Sequence, residues 1–357
     1  MPLTSGKSRS SDRLQGWKAA VHEYVKQVNQ SEIELDVEPL KRLVQDRDHL
    51  SRYGWKLDRL RERERQRCVW ASRNETKAQL MRVHESTHEA TVLLRLDQRR
   101  SLDQFGHGYV EERSEYERLW LQGDRGGEWE ISRIEPMVLE RRPRFGSYPG
   151  GTATYEEERG QRRSGFTEMR TRPFVNYDIV LPLAIRNTVH RYRRDRAVAY
   201  ADTWWNKGNP EYEEFEVNCT NYVSQCLFAG GAPMNYTGRR ESGWWYKGRD
   251  GGMEWWSYSW AVSNALQTLL ATPRREGLRA ALVDRPEQLE LGDVILYDWN
   301  GDGRYQHSTI VTAFDADRMP LVNANTVPSR HRYWDYRDSY AWTEATRYSM
   351  FHIADEF

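Results

Sequence analysis

Residues 216–231, EVNCTNYVSQCLFAGG, carry the reading of the fold. Tyr222, Val223, Cys226, Leu227 and Ala229 recur at helical spacing, Asn218 stands at the N-cap position, and Gly230-Gly231 closes the segment. Cys219 therefore falls in the first turn, where unpaired N–H groups and the helix dipole favour a thiolate. Cys226 lies two turns further on, has neither advantage, and reads as a small buried hydrophobe. An isolated cysteine at a helix start is more often a packed thiol than a nucleophile, so the question is whether a base is placed beside it.

Downstream, residues 289–315, LELGDVILYDWNGDGRYQHSTIVTAFD, divide into a strand over Asp293 to Asp298, a turn at Asn300-Gly301-Asp302-Gly303, and a returning strand over His307 to Phe314. His307 opens the returning strand. The next segment, PLVNANTVPS (320–329), reads as a further short strand with Asn323 and Asn325 on one face. A carboxamide there is the kind of group that holds an imidazole in one tautomer and orientation.

Cysteine at a helix start, histidine on a strand and a polar residue on the next strand is a papain-like order. The wider set is Asn218-Cys219-Thr220-Asn221-Tyr222-Val223-Ser224-Gln225, Gly230-Gly231, Ser259-Trp260, Gly292-Asp293-Val294, Gly301-Asp302-Gly303 and His307-Ser308 with Ile310-Val311-Thr312. This set, over roughly residues 190 to 352, resembles the putative amidase domain family of spore-forming bacteria, itself similar to NlpC-type and CHAP-type cell-wall cysteine peptidases. The resemblance implies a papain-like α+β domain that cleaves an amide through an acyl-enzyme, with no cofactor or metal. Cys219 would be the nucleophile, and its N–H would contribute to the oxyanion hole. His307 would be the base and then the acid, and Asn325 the orienter, with Asn323 the weaker choice. A peptide or peptidoglycan-like amide is the implied substrate. Two positions depart from the family: Asn218 replaces the usual Asp, and Asn325 replaces the usual His.

The N-terminal part reads differently. Leu14, Trp17, Val21, Tyr24 and Val28 give one helix over residues 12–28; Leu40, Leu43, Val44 and Leu50 give a second from Glu38 to about Gly54. From Glu75 the period changes to two. KAQLMRVHESTHEATVLLRLDQ (77–98) predicts two strands turning near Ser86, and HGYVEERSEYERLWLQ (107–122) and GEWEISRIEP (127–136) predict two more. Helices followed by a four-stranded antiparallel sheet make an α+β layer, which resembles a cystatin- or SnoaL-like accessory module. His84, His88 and His107 read as surface residues of that sheet. Residues 142–173, rich in Gly, Arg and Glu, read as a linker or loop. The expected organisation is an accessory domain over 1–140, a linker over 141–179 and an amidase-like domain over 180–357.

Composition narrows the classes. Lys+Arg and Asp+Glu are equal at 53 each, which argues against a nucleic-acid partner. Three cysteines, an odd number, suit a reducing compartment. No run of about twenty apolar residues suggests a membrane span and no signal-peptide core opens the chain, so the expected location is cytoplasmic, with spore association from the resemblance. Asp298-Trp299-Asn300-Gly301-Asp302-Gly303 matches the first half of a calcium loop, but Thr309 stands where the bidentate Glu would be, so a plain acidic hairpin is the better reading. The pairs Trp244-Trp245 and Trp255-Trp256 admit a sugar-binding platform, with core packing the commoner role. Three functions stay open: a cysteine amidohydrolase, a binding module that lost turnover, and a spore or envelope structural protein working through the N-terminal sheet.

Overall fold

The computed structural model describes residues 16–124, 127–141 and 190–357. The expected linker over 141–179 lies, from residue 142 on, outside them.

Helix α1 spans Trp17–Glu34 and turns Trp17, Val21, Tyr24 and Val28 inward, as their spacing predicts. The second expected helix is corrected. Glu38–Leu40 form one 3-10 turn, and α2 starts only at Arg47, capped by the Asp46 carboxylate accepting from the His49 N–H at 2.9 Å. It runs to Arg67, through DRLRERERQR, a stretch with no apolar face to advertise it. What holds that end is charge: Arg63, Glu64 and Arg67 are buried in ion pairs.

Four strands follow: β1 (Val69–Glu85), β2 (Glu89–Gln104), β3 (His107–Gly123) and β4 (Trp129–Pro136). The first turn falls at Ser86–His88, as read, and His84, His88 and His107 are exposed. Helices α1 and α2 cover one face through Tyr24, Val28, Leu57, Val92, Leu94, Leu119 and Ile131.

The C-terminal part supplies α3 (Arg194–Trp204), α4 (Cys219–Ala229), the hairpin β5 (Tyr246–Asp250) and β6 (Met253–Trp256), and the short helices α5 (Tyr258–Ala261) and α6 (Ser263–Ala271). The strands β7 (Ala280–Val283), β8 (Val294–Asp298), β9 (His307–Phe314), β10 (Pro320–Ala324), β11 (Ser329–Tyr333) and β12 (Arg347–Ile353) complete it. The fold mixes α and β with antiparallel sheets, but the four N-terminal strands are not a sheet of their own. One ten-stranded sheet runs β1-β2-β3-β11-β10-β9-β8-β12-β7, with β4 also paired to β3. The join is short: Ser329 pairs with Arg113 and Arg330 with Glu112.

Charge reinforces this join. Asp338, fully buried, meets Arg63 of α2 at 2.9 Å, Arg113 of β3 at 2.8 Å and Arg332 of β11 at 3.1 Å. Burial works against its ionisation, yet the three guanidinium groups hold its pKa well below the usual carboxylate range. Glu32 of α1, bound to Arg113 at 2.7 Å, is held at about 2 by Arg113 and Lys56 against the same desolvation.

Beyond the join the sheet separates two cores. Val294, Leu296 and Ile310 pack against Tyr222, Val223, Cys226 and Leu227 of α4. Ile295, Tyr297, Trp299 and Val311 point the other way, toward Val322, Tyr336 and Met350, following the alternation of strand side chains. The turn between β8 and β9 folds around the Asp298 carboxylate, which accepts from the N–H groups of Asn300, Gly301, Asp302 and Gly303. Both its oxygens are thereby engaged with main-chain donors, which fixes the shape of the hairpin.

Candidate active site

Helix α4 is buried along its whole length from Cys219 to Leu227, although its sequence is half polar. Each polar side chain has a partner. Trp260 donates its indole N–H to Asn221 at 2.8 Å, Trp244 donates to Ser224 at 3.0 Å, and Tyr200 donates to Gln225 at 2.7 Å. The run CTNYVSQC is thus a helix made to be enclosed by donors from neighbouring aromatic residues. Trp244 and Trp245 are 1% exposed and Trp256 6%, so these three build the core around α4, as the commoner reading has it, with Trp255 half-buried against them.

The N-terminus of α4 is not capped by Asn218 as its sequence suggests. The Asn218 side chain donates to Asn325 Oδ1 at 2.7 Å and accepts from Asn221 at 2.9 Å. The N–H groups of Asn218 and Cys219 instead donate to the Thr326 hydroxyl, at 2.9 and 2.8 Å. This cap comes from just past the end of β10, and local sequence gives no sign of it.

Cys219 is 1% exposed. Its Sγ lies 3.8 Å from Thr220 Oγ1 and 3.8 Å from Ser263 Oγ. Those two hydroxyls and that of Ser308 form a closed triangle, with Thr220–Ser263 at 2.7 Å, Thr220–Ser308 at 3.0 Å and Ser308–Ser263 at 2.9 Å. Ser263, not singled out in the sequence, and Ser308, quoted there only as the neighbour of His307, are therefore part of the thiol's surroundings. Cys226 is fully enclosed, and burial pushes its thiol pKa well up, as suits an inert packed residue.

His307 is not brought to Cys219. It pairs with Tyr297 across β8 and β9 and shares that residue's face, while Ser308 takes the α4 side. Its ring packs on Tyr297, Trp299 and Tyr336, with centroids 5.5, 5.9 and 5.3 Å away. Both ring nitrogens are buried with no hydrogen-bond partner among the described residues. Burial, aided by nearby Arg332, lowers its pKa to about 3, so it is a neutral imidazole.

Asn325 does not orient an imidazole either. Its amide donates to the carbonyls of Trp204 and Trp205, at 2.9 and 3.0 Å, and its oxygen accepts from Asn218. It ties the end of α3 to the start of α4. Replacing Asn325 by Ala is expected to cost about 1–3 kcal/mol in a urea melt, since it strands buried polar partners; a midpoint unchanged from wild type would exclude that tie. Asn323 donates to Asp202 at 3.0 Å and accepts from Thr312 at 2.8 Å, also away from His307.

A polar cavity of about 190 Å³ adjoins the start of α4, lined by Asn218, Asn325 and Thr326 together with Lys207 and, from the N-terminal strands, Arg95 and Tyr116. The region read as an accessory module therefore forms part of the wall beside the candidate nucleophile. Among the described residues no group of His, Cys, Asp or Glu is arranged to hold a metal ion, and no helix is long and apolar enough to cross a membrane.

The comparisons with known proteins bear on this region. An uncharacterized protein of Bacillus subtilis (strain 168), YhbB, is 52% identical over 166 residues, which cover 46% of this chain and 51% of that protein. The chain thus spans about half the length of the curated relative it matches. Two solved structures align at low similarity: the intermembrane space region of the chloroplast protein ARC6, at 18% identity over 35% of this chain and 98% of that one with a TM-score of 0.24, and a conserved protein from Planctomyces limnophilus DSM 3776, at 15% identity over 34% and 95% with a TM-score of 0.21. Residues 191–351, the segment that contains Cys219, His307 and Asn325, match the family described as the putative amidase domain, which points to amide hydrolysis as the chemistry of this part of the chain.

Proposed function

We propose that residues 191–351 hydrolyse a peptide-like amide, with Cys219 as the nucleophile. The observation that carries this reading is the placement of a thiol in the first turn of α4, beside a cluster of hydroxyls and within a segment matching an amidase family. The thiol would pass its proton to a base and attack the carbonyl carbon, the amine would leave with that proton, and water would then cleave the thioester to a carboxylic acid and the free thiol. The Cys219 N–H, now bonded to Thr326, would turn to the oxyanion as substrate displaces that hydroxyl. A helix laid on an antiparallel sheet is consistent with a papain-like scheme, and a cell-wall-type peptide is the substrate class that the resemblance brings. The N-terminal sheet would shape the entrance through Arg95 and Tyr116.

His307 can serve such a scheme only after the start of β9 turns over. Its two unpaired nitrogens favour that step, because each buried unpaired polar atom costs about 1–3 kcal/mol. A second reading, a binding module without turnover, draws support from the covered thiol and the distant imidazole. Alkylation by iodoacetamide across pH separates the two. Labelling of Cys219 below pH 7, lost in His307→Ala, supports the thiolate–imidazolium pair. Slow labelling that titrates near the ordinary thiol value of about 8.5 supports the binding module. In the catalytic case Cys219→Ala abolishes hydrolysis while Cys226→Ala leaves it within a few-fold of wild type.

A further inference from the structure

Away from α4, an open groove of about 1140 Å³ lies between the residues leading into α3, the loop after α6, β7 and the end of β12. Against three acidic residues, one of them Glu356, five arginines contribute to its lining: Arg191, Arg193, Arg194, Arg274 and Arg279. Two of these are engaged by carboxylates: Arg193 pairs with Asp195 at 2.9 Å, and Arg194 with Asp293 at 2.7 Å and Asp355 at 2.9 Å.

The other three have no ion pair among the described residues. Arg274 donates to the carbonyls of Leu269, at 2.9 Å, and Thr272, at 3.5 Å. Burial alone acts on its pKa, lowering it from the ordinary value with no carboxylate to offset it. Arg279 donates to the Glu356 carbonyl at 2.6 Å, and its Nε is buried without a partner among the described residues. Arg191, an exposed residue at the mouth of the groove, bridges to Glu356 through the main chain. His352 adds to the same wall, its Nδ1 2.8 Å from Asp293 Oδ2, with its pKa raised by that hydrogen bond.

Partly buried guanidinium groups without an ion pair, as at Arg274 and Arg279, are costly, and an oxyanion presented to their N–H forks relieves that cost through paired, charge-assisted hydrogen bonds, with exposed Arg191 adding charge. We infer that this groove binds a small ligand carrying two or more oxyanion groups, phosphate or carboxylate, held by Arg191, Arg274 and Arg279. The site is separate from Cys219, and its occupancy does not depend on amide hydrolysis.

Titration calorimetry of the full chain with sodium pyrophosphate and with citrate, each at constant ionic strength set by NaCl, tests the inference. Saturable binding of either probe is expected, weakened about tenfold or more in R274Q/R279Q and within twofold of wild type in R73Q, which removes one exposed charge from β1. Pyrophosphate preferred over citrate assigns the site to phosphate groups, and the reverse preference to carboxylates. Should the double variant fail to fold, R191Q, whose guanidinium has no ion pair to lose among the described residues, gives the same reading. Heats no larger than those of NaCl, or equal weakening in R73Q, overturn the inference.

Discussion

Asp338→Ala is expected to cost about 3–5 kcal/mol, because it leaves three buried guanidinium groups without their shared counter-charge. Arg63, Arg113 and Arg332 converge on this carboxylate from α2, β3 and β11. Two of those elements precede the segment outside the described residues and one follows it. The loss should therefore be felt in both halves of the chain, as one urea transition moved to lower concentration whether tryptophan fluorescence or far-ultraviolet dichroism is followed. Arg61→Ala, which breaks an exposed pair with Asp58, should leave the midpoint almost where it was. A loss at Asp338 no greater than that surface control would mean that the junction is not held by charge.

The second large effect belongs to Glu117. This carboxyl of β3 is buried and accepts from the Tyr24 hydroxyl at 2.6 Å. Burial, with some repulsion from Glu115, raises its pKa to about 7 in spite of the Tyr24 hydrogen bond. Folding therefore favours the protonated form. Stability from this group is fully present below the unfolded value of about 4.5 and is lost as pH rises through 7. Over that span of roughly 2.5 pH units the loss is about 3 kcal/mol. Glu117→Gln keeps the shape and an acceptor for Tyr24 without the charge. Its stability relative to wild type should rise from near zero at pH 4.5 to about 3 kcal/mol at pH 8. A flat difference across that range, measured by urea melts, would rule out an uncharged Glu117 as the favoured folded form. Working with differences also removes His307 and His49, whose pKa values, lowered by burial to about 3 and about 4, act in the opposite sense as pH falls.

Much of this was legible in the residues. The period of two between Lys77 and Pro136, the turn at Asn300–Gly303 and the inward face of α4 are local signals, and each has its counterpart in the structure. What escaped reading depends on distant partners. The charged end of α2 is helical because Asp315, Asp335 and Asp338, more than 200 residues later, receive its arginines. The face taken by His307 could not be read from HSTIVT, because β9 is buried on both sides from His307 to Thr312 and its alternation carries no polar-apolar contrast. A shift of one residue would have exchanged His307 for Ser308 beside Thr220. The capping of α4 by Thr326 escaped for the same reason, since the pattern near Asn218 already offered a plausible local cap.

The two-residue join between β3 and β11 has a consequence for any shorter form of this chain. A fragment beginning at residue 190 would leave β11 with one side bare, its N–H and C=O groups turned to solvent as a template for another strand. Arg330 would then lose Glu112 and keep Asp202, while Arg332 would lose Glu140 and keep Asp338. The N-terminal strands thus cover one edge of the segment that matches the amidase family. A protein that carries this segment without them must shield β11 by other means, or its copies will add to one another strand by strand.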